Sequence, residues 1–155
     1  MTTAQLGKVL PALKLPATSD QVIDLESLRG KNIVVYFYPK DSTPGCTIEG
    51  QDFASNHAKF KRLNTVILGV SRDTVASHEK FRAKHNFPFE LLSDSDEKAC
   101  SIFDVIKEKN MYGRKVMGIE RSTFLVDTKG KLVREWRKVK VKGHVDDVLT
   151  AVRDL

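Results

Sequence analysis

The residues best suited to chemistry lie in one short run, residues 39–47, with the sequence P-K-D-S-T-P-G-C-T. Thr43 has the character of a helix N-cap and Pro44 that of a first helical residue, so a helix is predicted to begin there. Cys46 then falls in the first helical turn, where backbone N–H groups lack acceptors and the helix dipole is positive. A thiol in that position loses its proton more easily than a free thiol. Free cysteines are also common in protein cores, so the run alone leaves a merely buried Cys46 as an alternative.

The elements on either side of this run must hold the sulfur in place. Residues 33–38, I-V-V-Y-F-Y, are β-branched and aromatic and predict a strand that is buried on both faces. A helix is predicted over residues 43–62, and its apolar spacing defines one face. That face carries Cys46, Gly50, Phe53, His57 and Phe60. Cys46 is therefore the first residue of the helix face that is expected to pack against the sheet, and its thiol is predicted to be sheltered from solvent.

The rest of the chain continues as alternating strands and helices. Strands are predicted over residues 21–25, 66–70, 89–92, 122–126 and 131–137. Helices are predicted over residues 74–85, 96–106 and 145–155, with one helical turn at 25–30 and a hairpin turn at 127–130. Residues 1–20 are predicted to be an extended lead-in, and residues 107–120 form a connection without a clear period. This order predicts one α/β domain, residues 1–155, with a mixed sheet, and it matches a thioredoxin-like architecture.

The composition excludes several classes of protein. The chain has 155 residues, of which 41% are hydrophobic and 30% charged, as is usual for an ordinary globular domain. The longest apolar stretch is too short to cross a bilayer, and the N-terminus lacks a signal-peptide core. Two widely separated cysteines do not form a secreted disulfide framework. A cytoplasmic location without a membrane partner is expected.

A basic cluster in the last third of the chain raises the possibility of nucleic-acid binding. Its members are Lys129, Lys131, Arg134, Arg137, Lys138, Lys140 and Lys142. The solvent-exposed face of a hairpin explains the cluster equally simply, and no aromatic residues alternate with the charges. The prediction is that the protein has no nucleic-acid partner.

Two carboxylates near the sulfur make its activation harder. Asp41 and Glu49 lie within five residues of Cys46, and nearby negative charge opposes a thiolate. A cation from elsewhere in the chain is needed to offset them, and spacing alone cannot choose which one.

The run also lacks a second cysteine. A disulfide-exchange enzyme carries C-x-x-C, whereas Thr43 occupies the first of those positions here. Local disulfide closure is therefore impossible. Oxidation of one thiolate to a sulfenic acid, followed by rescue by another thiol, is still available. The site is better suited to reducing a peroxide than to exchanging disulfides.

At this point the sequence resembles a known family. Pro39, Thr43 and Cys46 reproduce the P-x-x-x-T-x-x-C signature of peroxiredoxins. The longer run Y-F-Y-P-K-D-S-T-P-G-C-T-I-E, together with G-I-E-R-S-T-F-L-V-D, is similar to the bacterioferritin comigratory protein branch, also called PrxQ. The resemblance implies a monomeric enzyme that reduces hydrogen peroxide and organic hydroperoxides without metal or organic cofactor. It also implies regeneration by thioredoxin or by a glutaredoxin- or glutathione-type donor.

The same resemblance implies roles for five residues. Cys46 matches the peroxidatic cysteine, and Thr43 matches the hydroxyl that contacts peroxide and thiolate. Pro39 matches the residue that shields the pocket, and Arg121 the arginine that stabilises thiolate and developing oxyanion. Glu49 resembles the supporting carboxylate. Simpler roles exist for three of them: Thr43 as an N-cap, Pro39 as a strand end, and Glu49 as a first-turn acid.

The chain departs from the family at the resolving cysteine. Relatives carry that cysteine five residues after the peroxidatic one or on the next helix, but Gln51 and Arg82 stand at those positions here. Cys100 is the only other thiol. A structural role for Cys100 is favoured, and a resolving role, which would require local unfolding or a second molecule, is left open. We expect a one-cysteine cycle in which an external thiol reduces oxidised Cys46 directly.

Two other functions remain as alternatives. A redox-responsive interaction protein or holdase could use Cys46 as a sensor, and motifs alone do not exclude it. A copper-handling protein of similar fold would need a second soft ligand close by. Gly50 occupies that position, four residues after Cys46, so copper binding is disfavoured.

Overall fold

A seven-stranded mixed sheet forms the centre of the computed structural model, which describes residues 3–155. The described strands are β1 (Lys14–Ala17), β2 (Gln21–Asp24), β3 (Asn32–Phe37), β4 (Thr65–Ser71), β5 (Glu90–Ser93), β6 (Ile106–Met111), β7 (Arg114–Ile119), β8 (Ser122–Val126) and β9 (Leu132–Trp136). The order across the sheet is β2-β1-β5-β4-β3-β8-β9, while β6 and β7 pair only with each other. Strands β3, β4 and β5 are parallel, and β8 and β9 add an antiparallel edge, as predicted.

Helices cover both faces of this sheet. The described helices are α1 (Pro44–Ser55), α2 (His57–Arg62), α3 (Val75–His85), α4 (Lys98–Phe103) and α5 (His144–Arg153), with a 3-10 turn at Leu25–Leu28. Within residues 3–155 no helix combines the length and apolarity needed to span a membrane.

Strand β3 divides the protein interior into two cores. Successive side chains of a strand point to opposite faces, so Val35 and Phe37 enter one core while Val34 and Tyr36 enter the other. All four side chains are buried, which confirms the prediction of a strand covered on both faces. Helix α4 packs in the first core, and α1, α2, α3 and α5 pack in the second. The two cysteines are separated by this division.

The N-terminal segment differs from its prediction. Residues 1–2 of the expected lead-in lie outside the described residues. Strand β1 forms within the expected lead-in and pairs with β2 and, at Ala17, with Leu92 of β5. Its Pro16 disfavours a strand when the sequence is considered alone, because proline removes a donor from the ladder. Pairing beside the sheet edge outweighs that local signal.

The connection predicted over residues 107–120 is a β-hairpin, not an irregular loop. Strands β6 and β7 pair in antiparallel register from Ile106–Ile119 to Met111–Arg114, around a turn at Gly113. Most of these side chains are exposed or half-buried. The hairpin has little buried face to impose an alternating pattern, which explains why periodicity failed to reveal it.

Two predicted helices are shorter than expected. The helix over residues 43–62 breaks at Asn56, which has φ −104° and ψ 3° and whose side-chain amide donates to the Asp52 carbonyl. The helix expected over residues 96–106 spans Lys98–Phe103 and ends at Asp104 in the left-handed region, with φ 53°. Asparagine and aspartate tolerate such local conformations because their short side chains bond to nearby backbone.

Candidate active site

Helix α1 presents Cys46 from its first turn, as predicted. Thr43 is the N-cap residue, Pro44 is the first helical residue, and the first intrahelical N–H bond runs from Thr47 to the Thr43 carbonyl. The N–H groups of Gly45 and Cys46 therefore lie where the helix itself offers no acceptor. The Cys46 side chain is 2% exposed. The buried sulfur therefore lies at the positive end of the helix, beside backbone N–H groups that have no acceptor within the helix.

Arg121, the arginine that the family resemblance implies, supplies the cation that spacing alone could not choose. Its Nη2 donates to the Cys46 Sγ over 3.4 Å, and its Nη1 donates to Glu49 Oε1 over 2.7 Å. Antiparallel pairing of β3 and β8 places Ser122 opposite Phe37, so the preceding arginine emerges beside the end of β3 where the Cys46 loop begins. The Arg121 carbonyl also accepts the Val139 N–H at 3.0 Å, which fixes its backbone.

Glu49 lies one helical turn after Cys46 on the buried side of α1. It is 0% exposed, its Oε1 pairs with Arg121, and its Oε2 has no hydrogen-bond partner among the described residues. Burial raises the pKa of Glu49 to about 7, although Arg121 opposes that rise. Burial opposes the charge of Arg121 as well, but the pKa of Arg121 is raised because Glu49 and Cys46 favour the cation. The guanidinium therefore stays charged and bridges sulfur and carboxyl.

Gly45 allows the arginine to approach this closely. A Cβ atom built on Gly45 would lie 3.3 Å from Arg121 Nη2, closer than ordinary van der Waals contact. The sequence alone shows Gly45 only as a member of the active-site run and does not indicate this contact. The contact shows that the residue before Cys46 must be small for the guanidinium to occupy its observed position.

A second cation lies close to the site. The Lys109 ammonium on β6 donates to the Ile119 carbonyl, two residues before Arg121. Burial and the charge of Arg121 lower the pKa of Lys109, while Cys46 acts in the opposite direction. The β6–β7 hairpin, which the sequence did not reveal, therefore carries positive charge toward the sulfur.

Thr43 and Pro39 lie in the loop that leads into α1. The Thr43 hydroxyl donates to the Lys40 carbonyl over 2.8 Å and makes no capping bond to the helix N–H groups. Thr43 is thus the N-cap residue, as predicted, although its hydroxyl bonds back into the loop instead of to the helix N–H groups. Pro39 is half-buried two residues after the end of β3.

Asp41, the other carboxylate near the sulfur in sequence, also has a charged or polar partner. Asp41 Oδ2 lies 2.7 Å from His78 Nδ1, and both side chains are buried. Nothing in the sequence alone connects His78 on α3 with the active-site loop. Ligand atoms of Asp41, Asp73 and His78 lie within 4.8 Å of one another, so this cluster is a place where the described residues could hold a metal ion.

Cys100 lies on the other side of the sheet. It is 0% exposed in the core that contains Phe103 and Phe124, whereas Cys46 belongs to the opposite core. Burial and the adjacent Asp94 carboxylate raise the pKa of the Cys100 thiol well above its ordinary value. The structure does not bring the two sulfurs together.

The basic cluster is exposed along β9, the turn before it and the loop after it. Two of its arginines have contacts within the chain: Arg137 donates to the carbonyls of Phe103 and Asp104, and the Arg134 guanidinium stacks over Trp136. This arrangement fits the interpretation of a solvent-exposed hairpin face.

The chain resembles known proteins along nearly its whole length. Residues 6–135 match the AhpC/TSA family. Peroxiredoxin Bcp of Xanthomonas campestris pv. campestris is 58% identical over 157 residues, which cover 99% of this chain and 97% of that protein.

Two solved structures resemble the chain over most of its length. A PrxQ mutant of Xylella fastidiosa aligns with a TM-score of 0.93 and 42% identity, covering 99% of this chain and 98% of that one. The bacterioferritin comigratory protein of Xanthomonas campestris, studied for alkyl peroxide reduction, aligns with a TM-score of 0.88 and 51% identity. That alignment covers 94% of this chain and 97% of the other. These likenesses confirm the predicted α/β fold of thioredoxin-like type.

Proposed function

The chain belongs to the AhpC/TSA family of thiol-dependent peroxidases, and on that basis we propose that Cys46 is the sulfur that reacts with hydroperoxides. The observation that carries the proposal is the 3.4 Å contact between Arg121 Nη2 and the Cys46 sulfur at the start of α1. It joins a guanidinium, free backbone donors and a thiol in one sheltered place. Among the described residues, Cys100 has no comparable setting, because its nearest charge is the Asp94 carboxylate.

The first step is an in-line displacement on the peroxide. The Cys46 thiolate attacks one oxygen, an S–O bond forms, and the O–O bond breaks to give a sulfenic acid and a hydroxide or alkoxide. The leaving oxygen takes a proton and departs as water or an alcohol. Arg121 and the N–H groups of Gly45 and Cys46 stabilise the developing negative charge, and they do so without reorganising at the moment of reaction.

The other predicted residues have supporting roles in this proposal. Glu49 holds the Arg121 guanidinium in the orientation that reaches the sulfur. The Thr43 hydroxyl is available to the substrate after rotating away from the Lys40 carbonyl, and Pro39 shields the pocket from water. Prepositioning of both peroxide oxygens then contributes rate that thiolate formation alone cannot provide, because more acidic thiols are weaker nucleophiles.

Regeneration uses an external thiol rather than Cys100. The donor thiolate attacks the sulfenic sulfur, water leaves, and a second donor thiol reduces the resulting mixed disulfide. The two chain cysteines lie in different cores, which supports this one-cysteine cycle. Because Cys46 is only 2% exposed, a protein donor reaches the oxidised sulfur when the first turn of α1 opens. Cys100 keeps a structural role in its core.

The family implies a hydroperoxide substrate and a thiol reductant. We extend this to hydrogen peroxide and alkyl hydroperoxides as substrates, because the similar Xanthomonas campestris protein was studied for alkyl peroxide reduction. Thioredoxin is the proposed donor, with glutaredoxin or glutathione as the alternative. We further propose one domain over residues 1–155, acting as a monomer in the cytoplasm, where free cysteines such as these two persist.

Steady-state turnover with separate donors tests this function. Purified protein is supplied with hydrogen peroxide or cumene hydroperoxide and with thioredoxin, glutaredoxin plus glutathione, or dithiothreitol. We expect catalytic consumption of peroxide with at least one donor. After peroxide treatment without donor, intact mass and peptide mapping should reveal oxidised Cys46 and no Cys46–Cys100 disulfide. That disulfide in high yield, with loss of thioredoxin-supported turnover in Cys100→Ser, would contradict the one-cysteine cycle.

The same experiment separates an enzyme from a sensor. A protein that only senses peroxide consumes one equivalent and then stops, even when donor thiol is present. Repeated turnover is the expected result here.

A further inference from the structure

A buried polar cluster holds the loop that carries Cys46. Asp41 Oδ1 accepts the Tyr38 hydroxyl over 2.7 Å, and Asp41 Oδ2 accepts the Ser77 hydroxyl over 2.8 Å. The same Oδ2 lies 2.7 Å from His78 Nδ1, and the Asp41 N–H donates to Asp73 Oδ2 over 2.9 Å. The side chain and the backbone of Asp41 are thus both fixed, by the residue that follows β3, by α3 and by the loop after β4.

Hydrogen bonds hold the His78 ring at both of its nitrogens. Its Nε2 lies 2.9 Å from the Leu92 carbonyl, which can only accept, so Nε2 carries a proton. Its Nδ1 faces Asp41, whose carboxylate already accepts hydroxyls from Tyr38 and Ser77. Burial raises the pKa of Asp41, but the hydrogen bonds from His78 and Tyr38 outweigh burial and lower it overall. The His78 ring thus connects Asp41 in the active-site loop to the Leu92 backbone in β5.

This pair explains how α1 is placed relative to the sheet. Asp41 lies five residues before Cys46, and the chain turns from it through Ser42, which has a positive φ of 61°. Further along α1, a Cβ on Gly50 would lie 2.5 Å from the Phe87 ring, so the helix rests directly on that ring. The turn that bears the sulfur is held between these two contacts. Neither His78 nor Asp41 is bonded to the sulfur.

We propose that His78 is a positioning residue for the peroxide reaction: held between Asp41 and the Leu92 carbonyl, it fixes the loop that aims Cys46 at Arg121. The proposal rests on the proposed function of Cys46.

The decisive variants change the donors and acceptors of the pair while keeping its size. His78→Gln can still donate to the Leu92 carbonyl, but its amide oxygen then faces the Asp41 carboxylate, which repels it. We expect the second-order rate constant for Cys46 oxidation to fall by about 10²-fold, the cost of a misplacement of roughly 1 Å. Adding Asp41→Asn supplies an amide donor to that oxygen and should recover at least about tenfold of the loss.

The rate constant is measured in a single turnover by rapid quenching and intact mass, and is expressed per folded molecule. Phe103→Leu is the matched control, because it removes buried volume in the opposite core. It should lower the melting temperature yet leave the rate constant within about twofold of wild type, since distant sites act independently. This comparison separates a loss of stability from a loss of position.

Three outcomes would overturn the inference. His78→Gln could lower the melting temperature without changing the rate constant, or the double variant could react no faster than His78→Gln alone. A chelator could also lower the melting temperature of the wild type, which would indicate that a metal ion, rather than the direct His78–Asp41 contact, holds the loop. If the wild type itself fails to react with peroxide, the proposed function is wrong, which is a separate result.

Discussion

The two cysteines are almost equally buried but face opposite electrostatic surroundings. Cys46 is 2% exposed and Cys100 is 0% exposed, so solvent access hardly distinguishes them. The Cys46 sulfur has a guanidinium 3.4 Å away at the start of a helix. The Cys100 backbone N–H donates to the Asp94 carboxylate over 2.7 Å, and burial together with that carboxylate keeps the thiol protonated. The exposed fraction therefore does not distinguish the two sulfurs, whereas the sign of the adjacent charge does.

The central sheet separates the two cysteines in space. Cys46 packs with Tyr36 and Phe53 on one face, and Cys100 packs with Phe37 and Phe103 on the other. A continuous sheet of hydrogen-bonded strands lies between them. Direct bonding of the two sulfurs would require one helix to leave its core.

The largest expected effect is the loss of activity in Cys46→Ser. A hydroxyl at this site stays protonated and cannot reduce a peroxide, so turnover should fall to the uncatalysed rate of the donor thiol. Cys100→Ser is the control, and its turnover should stay within about twofold of wild type because the residue lies in a separate core. The assay is peroxide consumption with the best donor. Equal loss in both variants would remove the distinction between the two sulfurs.

The next largest effect is expected from removing the guanidinium. Arg121→Ala should lower the rate of Cys46 oxidation by about 10²–10³-fold, as expected for a lost oxyanion-stabilising donor. Adding Glu49→Gln avoids leaving a buried carboxylate without its partner, so the double variant isolates the effect on the reaction. Arg121→Lys should be intermediate, since one ammonium cannot bridge sulfur and carboxyl at once.

Single-turnover oxidation measures this effect, and alkylation of Cys100 serves as an internal reference. Cys100 labelling should keep its wild-type rate in the variants that fold normally. A wild-type oxidation rate in Arg121→Ala would show that the charge beside Cys46 is unimportant.

Glu49 predicts a pH-dependent stability. Its carboxyl has a pKa of about 7 in the folded protein against 4.5 as the ordinary value, so the folded state binds the proton more tightly. Stability should therefore fall as pH rises from about 4.5 to about 7, by on the order of 3 kcal/mol, because each pKa unit is worth about 1.4 kcal/mol.

Urea unfolding across this pH range checks the effect. Glu49→Gln should remove the decline, whereas Glu26→Gln, at an exposed position, should preserve it. A decline of wild-type size in Glu49→Gln would assign the pH dependence to another group.

The smallest expected effect comes from Gly45→Ala. The added methyl group would meet Arg121 Nη2 at 3.3 Å and push the guanidinium from the sulfur. We expect oxidation of Cys46 to slow by about tenfold, since reaction rates depend steeply on such displacements. Ile48→Ala, at an exposed position on the same helix, should keep the wild-type rate in the same single-turnover assay. An undiminished rate in Gly45→Ala would mean that the Arg121 guanidinium can shift away from the added methyl group and still contact the sulfur.

Local signals in the sequence predicted part of the site accurately. Thr43 and Pro44 marked the start of α1, and the apolar run before them marked β3. These signals depend on residues next to one another in the chain, which is why they could be read without coordinates. The β6–β7 hairpin was missed because its exposed side chains impose no alternation. The break at Asn56 was missed because the apolar spacing continues across it.

The sequence by itself determined that a cysteine stands in the first turn of a helix, where the backbone N–H groups have no acceptor within the helix. Only the tertiary structure decided which cation it meets, because Arg121 is 75 positions away and arrives through the pairing of β8 with β3. The tertiary structure also paired Asp41 with His78 and placed Cys100 on the far side of the sheet. Such pairings depend on strand register and on which face each helix covers, and no spacing along the chain encodes them directly.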